Sequence, residues 1–106
     1  DAAALPTIIF DEIDTGVSGE IADKMGEIMA GMAHYMQVVA ITHLPQVASR
    51  GKYHYRIYKN DEGETTRTCI EPLDDTRRVE EIARMLSGTQ LTEAALKNAR
   101  ELLNRK

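Results

Sequence analysis

A single cysteine, Cys69, leaves no room for an intramolecular disulfide and suits a reducing compartment, the cytosol. No apolar run approaches the ~20 residues that a membrane span needs. The first residues, "DAAALP", lack the basic start and apolar core of a secretory signal. A cytoplasmic protein with no membrane partner is the expectation. Positive charge is also short: 13 Lys and Arg stand against 17 Asp and Glu, for a net charge of −4. Composition therefore makes no global electrostatic case for nucleic-acid or membrane binding. Internal repeats, low-complexity tracts and clear linkers are absent. What remains is a chain of 106 residues, 42% hydrophobic and 28% charged. That is one modest domain of ordinary globular composition. It opens almost directly on a strand, so it reads as a piece of something longer.

The order of elements follows from hydrophobic patterning. Thr7 to Phe10 are mostly β-branched or aromatic and stop at charges, as in a strand buried on both faces. Ser18 can cap a helix, with Glu20 in its first turn where the helix dipole favours an anion. Ile21, Met25, Ile28, Met29, Met32 and Met36 then recur at helical spacing, predicting an amphipathic helix from Gly19 to about Tyr35. The methionines read as core packing. Gln37 to Thr42 form a second buried strand. A strand, a helix and a strand at this spacing predict a parallel pair with a right-handed crossover. "HLPQVASRG" is a loop and a short helical segment closed by Gly51.

The pattern changes after that glycine. In "KYHYRIYK", Tyr53, Tyr55 and Ile57 alternate with His54, Arg56 and Tyr58. "NDEG" reads as a turn and "TTRTCIEPL" as the returning strand, with Pro72 at its close. The hairpin is expected at the margin of the sheet. Two helices finish the chain. The first carries Val79, Ile82, Ala83 and Leu86, enters through Asp75 or Thr76, and ends at Gly88. The second carries Leu91, Ala95, Leu96, Ala99, Leu102 and Leu103, with Thr92 as its cap. The fold class is α/β, a mainly parallel sheet with flanking helices and an antiparallel hairpin.

The chemistry gathers at the strand ends. Ligands of open α/β sheets sit outside the carboxyl ends of the parallel strands. Asp11 and Glu12 follow the first strand, and Thr42 and His43 end the second. If the strands are neighbours, two carboxylates and an imidazole share one edge. Such a group suits a hydrated Mg²⁺ beside a phosphate. Two other readings stay open. Asp11, Glu12, Asp14 and His43 could ligate a metal directly in a phosphohydrolase. Alternatively the chain could serve only as a dimerisation surface.

"TIIFDE", "DTGVSG" and "ITHLPQVA" together resemble the Walker B segment, D-loop and switch-histidine segment of ATP-binding-cassette ATPases. The resemblance is closer still to the RecN family of bacterial DNA-repair proteins, in the SMC-like group. "FDEIDTGVSG", "THLPQVA" followed by a hairpin, and the tail segments "EEIARMLSG" and "ALKNARELL" are similar to the end of that family's sequences. This likeness implies the C-terminal lobe of a P-loop ATPase head over residues 1–106, with ATP and Mg²⁺ as cofactors. Asp11 would act on the metal and Glu12 would polarise the attacking water. His43 would meet the γ-phosphate. Asp14, Gly16 and Ser18 would lie in the D-loop, facing a second head in an ATP-bound homodimer. DNA would be the whole protein's partner, in recombinational repair of double-strand breaks.

The resemblance also defines what is missing. No "GxxxxGK[ST]" phosphate loop occurs in the chain, and no "LSGGQ" signature. "LSGTQL", from Leu86 to Leu91, lacks the second glycine and follows the Walker B segment, where the family has its tail. The chain alone is therefore expected to bind ATP poorly and not to hydrolyse it. His34 and His54 match no role. Arg77 and Arg78 read as a solvated helix face, Cys69 as inert packing, and the tyrosines as ordinary sheet packing rather than a stacking platform.

Overall fold

The computed structural model describes residues 6–11, 19–88 and 90–104. Strand β1 (Thr7–Asp11) leads to helix α1 (Gly19–Met32), strand β2 (Gln37–Ile41) and the single-turn helix α2 (Pro45–Ala48). A hairpin of β3 (Tyr55–Glu62) and β4 (Thr65–Pro72) follows, then helices α3 (Asp75–Ser87) and α4 (Glu93–Asn104).

β1 and β2 pair in parallel, in the register Thr7↔Gln37 through Asp11↔Ile41. A parallel pair needs a long crossover, and α1 lies within it. α1 stops three residues earlier than its apolar spacing suggests. Its last carbonyls are taken up in a tight turn, where Tyr35 N donates to Met32 O at 2.9 Å and Met36 N to the same oxygen at 3.1 Å.

The strands are not buried on both faces, as their composition predicts. Exposed and half-buried residues alternate along β1, and Ile9 is 63% exposed. Two strands with one helix packed on them cannot cover both faces of a pleated pair.

α1 packs only in part through the expected stripe: Met29 is buried and Met25 and Met32 are half-buried, but small residues share the contact. Its buried residues are Ala22, Gly26 and Met29, while Ile21 and Ile28 of the apolar stripe stand exposed. The small residues let the backbone of α2 come close, which an isoleucine stripe would prevent.

Among the described residues the hairpin forms its own two-stranded sheet and does not hydrogen-bond to β1 or β2. Its strands run on through Asn60, Asp61 and Glu62, which the sequence reading places in the turn. The turn is Gly63 and Glu64. Gly63 has φ +65°, a conformation that glycine adopts without a Cβ clash. One hairpin face carries Arg56, Tyr58, Cys69 and Glu71, with the Arg56 guanidinium 4.8 Å over the Tyr58 ring. The other face presents Tyr55, Ile57 and Ile70, all exposed rather than packed.

α3 and α4 hold the densest part of the molecule. Ile82, Ala83, Ala95 and Ala99 form the core cluster, with Val79, Met85, Leu96, Leu102 and Leu103 packed around it. α3 is capped one residue before the expected position: the Asp74 carboxylate accepts from Arg77 N at 2.8 Å. Thr92 caps α4 as its sequence suggests, its Oγ1 accepting from Ala95 N at 3.0 Å. Gly88 ends α3, as read.

Two expectations follow. Among the described residues Ile82 is the largest side chain with no exposed surface. Ile82→Ala should cost about 2–5 kcal/mol, much of a small domain's stability; an unchanged urea midpoint would contradict that. His54 sits where the hairpin meets α3, with Nδ1 buried and lacking a hydrogen-bond partner among the described residues. Burial, reinforced by the Arg78 charge and opposed by Glu81, holds its pKa below the ordinary 6.5. The unfolded chain therefore binds the proton more readily than the folded one. The stability linked to His54 is full above pH 6.5 and is lost as pH falls through the lowered folded value. His54→Gln should flatten that acid limb in urea titrations at a series of pH values; an unaltered slope would count against it.

Candidate functional site

The parallel register sets the site. Asp11, the last residue of β1, is paired with Ile41, the last residue of β2. Thr42 and His43 leave β2 immediately beyond that pair. Asp11 and His43 are thus brought to the same carboxyl edge of the sheet, and both are exposed. Of the other residues that the sequence singles out, Glu12, Asp14, Gly16 and Ser18 lie outside the described residues.

The chain turns sharply after β2 for a local reason. The Thr42 hydroxyl accepts from Leu44 N at 2.9 Å, folding the backbone around His43. Leu44 then begins α2, with Pro45 at the first helical position, where a missing N–H costs nothing. Leu44 O accepts from Val47 N at 3.1 Å and from Ala48 N at 2.9 Å. His43 is therefore held between the end of a strand and the start of a helix.

α2 is only four residues long, so it depends on its neighbours. On one side it meets α1 at Gly26. A Cβ there would come 2.7 Å from Gln46 O and 3.0 Å from Arg50 Cγ. Arg50 and Glu27 lie 3.9 Å apart across the same contact. On the other side is Arg78 of α3. Its Nη2 donates to Ala48 O at 3.2 Å, to Ser49 O at 3.3 Å and to Gly51 O. Arg78 is half-buried, and burial lowers its pKa below the ordinary guanidinium range, against the opposing effect of Asp75. It is not part of a solvated face. Arg77 is, and it pairs with Glu71 at the hairpin's base.

Sequence reasoning missed Gly26, Gln46 and Arg78. Gln46 buries its Oε1 without a hydrogen-bond partner among the described residues. A glycine and an alanine among isoleucines and methionines give no hydrophobic signal. An arginine that bonds carbonyls thirty residues away has no local signature.

Among the described residues no group of three or more His, Cys, Asp or Glu is placed to hold a metal ion. Asp11 offers one exposed carboxylate at a strand end. That donor set fits a cation which keeps most of its waters and takes its remaining ligands from a phosphate, as Mg²⁺ does.

The contact at Gly26 generates a prediction. Gly26→Ala must push α2 away, because the obstacle is backbone. It should cost roughly 1–3 kcal/mol and speed amide exchange over residues 44–51. Unchanged exchange in that segment would contradict the packing described.

Comparison with known proteins gives a consistent picture. No family model matches the chain. It is 46% identical over 104 residues to the DNA repair protein RecN of Rickettsia conorii, covering 98% of this chain and 19% of that protein. Over 104 residues it is 40% identical to the DNA repair protein RecN of Haemophilus influenzae, again with 98% and 19% coverage. The DNA repair protein RecN of Xylella fastidiosa is 44% identical over 99 residues, 93% of this chain and 18% of that protein. The chain thus spans about a fifth of the length of the curated relatives it matches. A solved SMC ATPase structure, from work on ATP-driven dimerization and DNA-stimulated activation, superposes with a TM-score of 0.59 at 14% identity. The match covers 80% of this chain and 50% of that one. The chain therefore shares its fold with part of an SMC ATPase structure, and over nearly all of its length it is similar to one segment of the DNA repair proteins RecN.

Proposed function

We propose that this chain supplies the hydrolytic edge of an SMC-like ATPase head acting in recombinational repair of damaged DNA. One observation carries the reading: the register that pairs Asp11 with Ile41 puts a carboxylate and the His43 segment on a single sheet edge. The similarity to RecN proteins and the fold shared with an SMC ATPase support the same assignment. Residues 1–106 are then the C-terminal lobe of the head, and the phosphate loop, signature segment and coiled coil lie elsewhere in the protein.

In this reading Asp11 holds Mg²⁺, directly or through water. The cation, bound with ATP, would neutralise phosphate charge at the strand end. Glu12, next in the chain, orients and polarises the attacking water. His43 donates a hydrogen bond towards a γ-phosphate oxygen. Asp14, Gly16 and Ser18 face the second head of a homodimer, so that nucleotide closes the two heads and hydrolysis releases them. DNA is bound by the whole protein, in the bacterial cytoplasm and on the nucleoid. The chain by itself carries only half of the nucleotide site and does not turn over ATP. Turnover of Mg-ATP by the isolated 106 residues would contradict this division of labour.

The direct test is Glu12→Gln in a full-length protein containing this sequence. Hydrolysis should fall by about 100-fold or more, as for loss of a general base, while ATP-dependent association of heads persists or increases. Undiminished turnover would remove the catalytic role of the carboxylate. It would favour a dimerisation surface without catalysis.

A further inference from the structure

We infer that Arg78 is a positioning residue for the catalytic edge, acting through α2 on His43; this rests on the ATPase reading above. Arg78 lies on α3, in the part of the molecule furthest in sequence from the strand ends. Its Nη2 nevertheless donates to Ala48, Ser49 and Gly51, the carbonyls at and just beyond the end of α2. Ala48 O is the last carbonyl of α2 and also accepts from Gly51 N at 3.4 Å, while Ser49 and Gly51 lie just beyond the helix end, where a cation is favoured. A single turn of helix cannot hold its place by its own hydrogen bonds. α2 is fixed from outside, by Gly26 of α1 on one side and Arg78 of α3 on the other.

The segment that α2 anchors is short. From its first residue, Pro45, only Leu44 intervenes before His43. The Thr42 hydroxyl bond to Leu44 N ties the turn around His43 to the start of α2, so a shift of α2 would carry His43 with it. Among the described residues the hydrogen-bond partners of Arg78 are backbone oxygens. It therefore links the α3–α4 pair, the best-packed part of the molecule, to the edge where nucleotide would bind. Displacement of a reacting group by about 1 Å can cost as much as 100-fold in rate. A half-buried guanidinium spent on three carbonyls is well suited to prevent that.

The test is a double-mutant cycle in the full-length protein, read by steady-state ATP hydrolysis. Arg78→Met keeps the aliphatic stem and removes the donors. It should lower kcat roughly tenfold and leave KM for ATP within about twofold, since α2 positions a group without holding the substrate. Arg78→Lys, which keeps the charge and part of the donor set, should recover part of the loss. The decisive arm is His43→Gln. On that background Arg78→Met should have little further effect, because the group it positions is already gone. If both losses multiply in full, Arg78 stabilises the fold generally and the positioning role is overturned. If His43→Gln alone leaves turnover intact, the ATPase reading of His43 fails and this inference falls with it. Each failure is recognisable from the other.

Discussion

Two parallel strands cannot be joined by a tight turn, and much of this molecule follows from that constraint. The chain must cross over between β1 and β2, and α1 is part of the crossing. Both strands then point the same way, so their carboxyl ends open on one edge. The pairing of Asp11 with Ile41 fixes which residues meet there. A shift of one residue would also turn every side chain of the strand to the opposite face. The polar edge and the apolar strand are thus set by the same hydrogen-bonded register.

That arrangement comes with an unfinished surface. The accessible area is 7818 Å², against about 5,900 Å² for a compact protein of this mass. The radius of gyration is 15.1 Å, where about 13 Å is usual. The surplus is rich in large apolar groups: Ile9, Val39 and Ile41 on the strands, Ile21 and Ile28 on α1, and Tyr55, Ile57 and Ile70 on the hairpin. Parallel sheets are normally covered on both faces. A head completed by further strands and helices, as proposed above, would give these residues the burial that their composition demands. The same need explains why β1 reads as a fully buried strand although this chain leaves it half open.

Much of the architecture was legible in the sequence. Continuous apolar runs marked β1 and β2, the first ending at charges, and glycine and threonine marked the ends of α3 and α4. The site was legible to the extent that it depends on strand ends: Asp11 and His43 share an edge because of topology alone. Legibility failed where packing depends on the absence of a side chain or on distant bonds. The stripe of isoleucine and methionine on α1 marked Met29 on the buried face, but not Ala22 or the Gly26 that meets α2. Arg78 looked like a solvated charge because sequence does not show carbonyls from another segment converging on it. The hairpin turn was misplaced because Asn60 and Asp61, ordinary turn formers, here continue the ladder opposite Arg67 and Thr66. Gly63 was the better guide.

The central claim is that the common edge of β1 and β2 is where the metal and terminal phosphate of ATP are held. It is tested most directly by anomalous scattering from crystals of a full-length protein containing this sequence, grown with Mn²⁺ and a non-hydrolysable ATP analogue. The account predicts a manganese peak beside Asp11, with the terminal phosphate facing His43, and loss of the peak in Asp11→Asn. A metal–nucleotide peak away from this edge would contradict it, and would leave the shared register of Asp11 and Ile41 without a catalytic meaning.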